Sequence, residues 1–163
     1  MQYSVLTIEN QENSEKAKIL KEFENAKLEG YIGWIGDLGK IDKKFAVAVT
    51  TSCSANMDVL LFKQGRNVDE AISFLKKNNI GWANFISMDV LKWKPIKIPE
   101  SPNANCWWMI DLIEMQDPEY KIAMEWAVWD TLVCPNYDLA SEVNGYGDGH
   151  WVVTFDGVVF EKN

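Results

Sequence analysis

Two side chains of this sequence, Cys106 and His150, could together perform nucleophilic chemistry. A cysteine at the N-terminus of a helix has a lowered thiol pKa, and a histidine from a later strand can then act as its base. Asn105 could begin such a helix just before Cys106, and the only histidine stands at the start of a predicted strand. Asp148, close by in sequence, could orient the imidazole. The pattern therefore offers a thiol, a base and an orienting carboxylate.

This arrangement resembles that of papain-like cysteine hydrolases, in two short patches of sequence. The resemblance implies a hydrolase that uses Cys106, His150 and Asp148, although the residues that usually flank a papain-like nucleophile are missing. The other interpretation is that Cys106 is a small buried apolar residue and His150 lies in a surface loop. We favour this second interpretation, and we assign Cys53 and Cys134 to the interior as well.

The sequence predicts no metal site and no cofactor. It has one histidine and no Cys-x-x-Cys pair, and residues 138–148 lack the alternating acids of a calcium loop. The glycine-rich segment 145–149 has no lysine and no helix after it, so it does not fit a phosphate group. This segment is either a flexible connection or a binding loop that presents Tyr146.

The charge of the chain is distributed unevenly. Residues 111–163 hold eleven Asp or Glu and two Lys, a net −9, whereas residues 1–110 hold thirteen acids and fourteen Lys or Arg, a net +1. The whole chain has a net charge of −8 and one arginine, Arg66, against fifteen lysines. Such a field repels nucleic acid and anionic lipid and favours a basic protein surface. We therefore expect a basic protein partner, no nucleic acid and no membrane.

Segment 135–149, which we predict to be a loop, is the predicted contact region, because it combines carboxylates with tyrosines. An aromatic side chain flanked by acids suits a cleft lined with lysine and arginine. The predicted partner-binding residues are Tyr137, Asp138, Glu142, Tyr146 and Asp148, together with Asp130 and Glu125.

Size, charge and the lack of a catalytic motif favour a small acidic binding protein. We interpret it as an inhibitor of the bacterial immunity type, which occupies the basic active site of a nuclease toxin. One alternative is the cysteine hydrolase that uses Cys106 and His150. The other alternative is a non-catalytic oligomeric subunit that associates through a tryptophan-rich helix at 117–134. The sequence does not predict the oligomeric state.

The composition predicts one domain over residues 1–163. Hydrophobic residues make up 47% and charged residues 25%, which is typical of a globular protein. The start of the chain shows no signal peptide, and no apolar run is long enough to span a membrane. Three cysteines, an odd number, fit a reducing compartment, and we expect a cytoplasmic location.

Hydrophobic periodicity predicts an α+β fold, with a mostly antiparallel β-sheet flanked by about three helices and no internal repeat. The segment 106–115 fits either a buried strand or a helix. A hairpin with a type I′ turn is predicted at Asp156-Gly157. The predicted helices are 13–30, 67–81 and 117–134, and the predicted strands are 2–8, 31–35, 44–51, 57–63, 82–91, 93–98, 151–155 and 158–161.

Overall fold

The computed structural model describes residues 2–4, 14–91, 100–128, 130–146 and 149–162. The strands are β1 (Gln2–Ser4), β2 (Tyr31–Trp34), β3 (Gly39–Asp42), β4 (Val59–Phe62), β5 (Asn84–Ser87), β6 (Trp107–Trp108), β7 (Ile113–Met115), β8 (Thr131–Cys134), β9 (Trp151–Thr154) and β10 (Val159–Phe160). The helices are α1 (Ser14–Ala26), α2 (Ala46–Met57), α3 (Gly65–Lys77), α4 (Met88–Leu91), α5 (Lys121–Val128) and α6 (Tyr137–Asn144). Short 3₁₀ turns lie at 35–38, 43–45, 109–112 and 118–120.

The predicted α+β class is confirmed, with the strands arranged in three small sheets. Their strand orders are β1-β3-β7, β2-β4-β5 and β10-β9-β8-β6. Five of the seven strand pairs are antiparallel, and the two parallel pairs are β4 with β5 and β8 with β9. Each parallel pair is connected through a helix, as a parallel crossover requires.

The fold consists of two halves with the same order of elements. The first half runs β2, β3, α2, β4, α3, β5, and the second runs β6, β7, α5, β8, α6, β9 and then adds β10. In each half the first strand pairs antiparallel with a central strand, which pairs parallel with the last strand. The expectation of no internal repeat was therefore wrong at the level of structure.

The two halves join where β3 pairs antiparallel with β7. Lys40 lies opposite Glu114, and each of these residues holds the same place in its own half. A pseudo-two-fold axis therefore passes between them. The segments before these strands share a sequence pattern, Trp-x-x-Asp-Leu, at 34–38 and 108–112.

Two clusters of buried side chains stabilise this arrangement. The larger cluster contains residues of both halves, among them Ile41, Met109 and Leu132. The smaller cluster lies in the first half, where Phe23 of α1 meets Phe62 of β4 edge to face with 6.1 Å between ring centroids. The larger cluster makes the two halves share one interior.

The structure corrects three predicted elements. Residues 44–51 form a 3₁₀ turn and the start of α2 instead of a strand, because valine alternates there with alanine, which favours a helix. The predicted helix 117–134 ends at Val128 and is followed by β8. A fully buried strand in a partly parallel sheet is as continuously apolar as a buried helix, so periodicity does not separate them. The predicted loop 135–149 contains α6.

The remaining predicted elements agree better with the structure. Asp117 caps the 3₁₀ turn before α5, with its side chain accepting from the Glu119 amide. The hairpin of β9 and β10 is confirmed, but Gly157 is its only turn residue with positive φ, whereas a type I′ turn needs two. Residues 82–91 hold β5 and then α4, and the predicted strand 93–98 lies outside the described residues. No helix in the described ranges is long and apolar enough to cross a membrane.

Candidate interaction surfaces

The cysteine–histidine pair of the hydrolase alternative is not assembled. Cys106 precedes the edge strand β6 instead of a helix, and it forms a disulfide with Cys134 at the end of β8. His150 instead packs edge to face on Trp108, with 4.8 Å between ring centroids. Because the Cys106 sulfur is bonded to another sulfur, it is not available as the predicted nucleophile. Asp148 lies outside the described residues.

His150 belongs to a cluster of charged groups at one end of the second sheet. Strands β8 and β9 run parallel in register, so the residues just before them, Asp130 and His150, are neighbours. The Asp130 carboxylate lies 3.4 Å from His150 Nδ1 and 3.1 Å from Lys162 Nζ. The adjoining cavity of about 10 Å³ has room for about one water molecule. This cluster ties the C-terminal residues to the sheet and offers no space for a substrate.

Four of the predicted contact residues share one exposed surface, which we call the acidic face. They lie on α6 or one turn beyond it: Tyr137, Asp138, Glu142 and Tyr146. The Tyr146 hydroxyl donates to Glu142 at 3.0 Å, and this bond raises the pKa of the phenol. Of the other three, Glu125 on α5 and Asp130 before β8 lie outside this helix, and Asp148 is not among the described residues. Burial raises the pKa of Glu125.

The acidic face lies beside a sheet edge. Helix α6 packs along β9 and β10, and the Tyr137 ring contacts Phe160 of β10 with 5.2 Å between centroids. In the described part of the chain, β10 hydrogen-bonds to β9 alone, which makes it the outermost strand. The second half therefore presents an exposed strand edge next to carboxylates and tyrosine.

The first half has an edge strand of its own, β5. Within the described ranges, β5 hydrogen-bonds to β4 alone. Trp82, two residues before this strand, has 75% of its surface exposed, which is far above the usual exposure of tryptophan. Lys76 and Lys77, in the last turn of α3, are exposed as well. In the described part of the fold, β5 therefore has one unpaired edge, an exposed indole lies just before it, and two cations end the helix that precedes it.

Sequence reasoning missed Trp82 because it counted the residue only as the start of the predicted strand 82–91 and did not ask which face it lies on. Ala83 and Ser87 are buried, whereas Asn84 is exposed, so the alternation places position 82 on the outer face with Asn84. The sequence did contain a signal for this exposure: Trp82 is two residues from the polar Asn84, so in a strand both side chains lie on the same, polar face.

Comparison with known proteins identifies the fold. The profile of the family described as SMC proteins Flexible Hinge Domain matches residues 28–144, most of the chain. A curated relative, structural maintenance of chromosomes protein 4 of Xenopus laevis, is 34% identical over 151 residues. That match covers 89% of this chain and 11% of the relative, so the chain spans about a tenth of the relative's length.

Solved structures agree with the profile. The hinge domain of the Geobacillus stearothermophilus SMC protein, solved as an asymmetric dimer, superposes with a TM-score of 0.78 at 23% identity, covering 96% of this chain and 65% of that one. A structure described as the folded elbow of cohesin gives a TM-score of 0.80 at 25% identity, covering 96% of this chain and 23% of that one.

These matches overturn the functional predictions. An immunity-type toxin inhibitor and a cysteine hydrolase are both wrong, because the family profile and the relative are those of chromosome-maintenance proteins. The predicted basic, toxin-like partner is wrong for the same reason. The subunit alternative assumed a helix at 117–134, which the structure replaces with α5 and β8. The chain belongs to the family of SMC flexible hinge domains.

Proposed function

We propose that this domain is a dimerisation module, which joins its chain to a second SMC hinge domain through the strand edges of β5 and β10. The observation that carries this function is the pair of open edges, one in each half, in the described part of the fold. The relative from Geobacillus stearothermophilus, whose hinge is described as an asymmetric dimer, supports it. The chromosomal relatives further support a place of action on chromosomes instead of the cytoplasm.

Open strand edges favour pairing with another strand. An edge strand exposes backbone donors and acceptors, and a strand from another molecule can satisfy them by extending the sheet. Contact between β5 of one molecule and β10 of the other joins unlike surfaces. A two-fold axis generates this contact twice, so the assembly closes as a dimer and does not grow into a fibre.

Charge around the two edges favours the same arrangement. Lys76 and Lys77 are exposed in the last turn of α3, the helix that precedes β5, and Asp138 and Glu142 lie on the acidic face beside β10. Opposite charges at the rim of an interface increase the association rate and select the partner orientation, and salt weakens both effects. In this arrangement the acidic face predicted from the sequence contacts a hinge domain.

Exposed aromatic side chains would anchor the contact. Trp82 marks the β5 edge, and Tyr137, with 58% of its surface exposed, marks the β10 edge. Tryptophan and tyrosine are enriched among the few interface residues whose truncation costs about 2 kcal/mol or more. We therefore expect Trp82 to contribute more to the dimer than any single charge.

Sedimentation equilibrium of the purified chain tests this function. Wild type should self-associate, and Trp82→Ser should weaken the dimer by at least about 30-fold, which corresponds to about 2 kcal/mol. Trp107→Ser is the matched control, because Trp107 lies on β6, at the opposite edge of its sheet from β10. Far-ultraviolet circular dichroism should show that each variant is folded.

A charge exchange tests the orientation. The double change Asp138→Lys with Glu142→Lys should weaken the dimer, and adding Lys76→Glu with Lys77→Glu should restore it. Restoration requires the two surfaces to meet across the interface. A chain that stays monomeric at every concentration, and that binds no other hinge domain encoded in the same genome, would contradict the proposed function.

A further inference from the structure

We propose that Cys106 and Cys134 form a reversible redox clamp, which fixes the edge strand β6 when oxidised and releases it when reduced. The clamp acts within one molecule and does not depend on dimerisation.

The register of the sheet places the two cysteines together. Trp107 of β6 lies opposite Val133 of β8, so the antiparallel register puts Cys106, one residue earlier, opposite Cys134, one residue later. Their Cα atoms are 4.7 Å apart, within the range that a disulfide spans. Both residues are almost fully buried, with 2% and 0% of their surfaces exposed. A pair of thiols also suits this interior, because free cysteine behaves as a small apolar residue.

The clamp links a short edge strand to its neighbour. Strand β6 has two residues and lies at the edge of its sheet. Trp107 stacks on Phe155 with 6.1 Å between centroids, and the Phe155 amide donates to the Cys134 carbonyl at 3.1 Å. The disulfide thus links the residue before β6 to Cys134 of β8, whose carbonyl also holds the Phe155 backbone. Without it, β6 keeps two paired residues and the packing of the Trp107 and Trp108 rings.

The other half of the fold lacks this device. Ile32 and Phe62 stand where the repeat would place Cys106 and Cys134. The remaining cysteine, Cys53, is buried on α2, 3.7 Å from the Met109 sulfur. The clamp is therefore specific to the second half, and Cys53 provides an internal control.

The chemistry is ordinary thiol–disulfide exchange. Two thiols lose two protons and two electrons as the sulfur–sulfur bond forms, and a disulfide of the glutathione type is reduced to two thiols. The reverse reaction consumes two glutathione thiols. Because both sulfurs are buried, exchange requires β6 to move away from β8 for a moment, which an edge strand allows more readily than a central one.

The experiment uses the wild-type chain in glutathione buffers. After equilibration with glutathione disulfide, denaturation and alkylation, peptide masses should show Cys106 linked to Cys134 and Cys53 alkylated. After transfer of the folded protein to reduced glutathione, all three cysteines should be alkylated. Hydrogen exchange at the β6 amides should be at least about tenfold faster in the reduced protein, as expected for a locally opening strand. In Cys53→Ala both results should persist, and Cys134→Ala should remove the difference between the buffers.

Two outcomes would overturn the redox clamp. Separate alkylation of Cys106 and Cys134 after glutathione disulfide treatment would show that the bond does not form. A bond that forms but resists reduced glutathione in the folded protein would show a permanent crosslink and no switch. Neither result bears on whether the domain dimerises.

Discussion

Replacing Gly39 by alanine tests how the two halves join. Gly39 begins β3, and a Cβ atom there would lie 2.6 Å from Ile113 Cγ2 of β7 and 3.0 Å from Met124 Cε of α5. The backbone of Gly39 is extended, with φ −142°, so alanine adds no backbone strain and acts through crowding alone. Both neighbours are buried, which leaves them little room to move.

Overpacking of this kind costs about 1–3 kcal/mol. For a domain of this size, that lowers the thermal midpoint by about 2–12 °C. Gly65→Ala is the matched control, because the nearest atom to its Cβ is Asp89 Oδ2 at 3.8 Å. That change lies at the start of α3 and should stabilise the protein by about 0.4–1 kcal/mol. Differential scanning calorimetry measures both. An unchanged midpoint for Gly39→Ala would refute the close contact between β3 and β7.

Two further outcomes are expected. The pKa of Asp89 is lowered because the Ser87 hydroxyl and the Gly65 amide donate to its carboxylate. The ionised carboxylate therefore stabilises the folded protein fully above the ordinary pKa of 3.8, and this stabilisation is lost as pH falls through the lowered pKa. The midpoint difference between wild type and Asp89→Asn should therefore shrink on acidification, and a constant difference would contradict the hydrogen bonds. We also expect one calorimetric unfolding transition for the whole chain, because the β3–β7 pair and the larger buried cluster contain residues of both halves. Two separated transitions would show that the halves unfold independently.

Much of the fold class could be predicted because local signals were strong. The amphipathic pattern of α3 and the turn at Asp156-Gly157 gave correct elements. The apolar run at 121–134 was predicted as one helix, since helix and buried strand share its composition. The acids and tyrosines of α6 were found from charge, although their element was not.

The features that could not be predicted from the sequence depend on tertiary structure. The internal repeat is visible in sequence only as Trp-x-x-Asp-Leu, at 34–38 and 108–112, and its significance appears once β3 pairs with β7. The disulfide requires that Cys106 lie opposite Cys134, a register that a spacing of 28 residues does not reveal. Net charge named a partner class wrongly, because it described the surface without locating the strand edges that an interface uses.

Hydrogen exchange at the two proposed edges tests the central claim most directly. The amides of β5 and β10 should exchange more slowly at concentrations where the domain is dimeric than where it is monomeric, and protection should appear at both edges together. The amides of β6, an edge strand outside the proposed contact, should not change with concentration. A dimer that protects neither β5 nor β10, or that protects β6 instead, would contradict pairing of β5 in one molecule with β10 in the other.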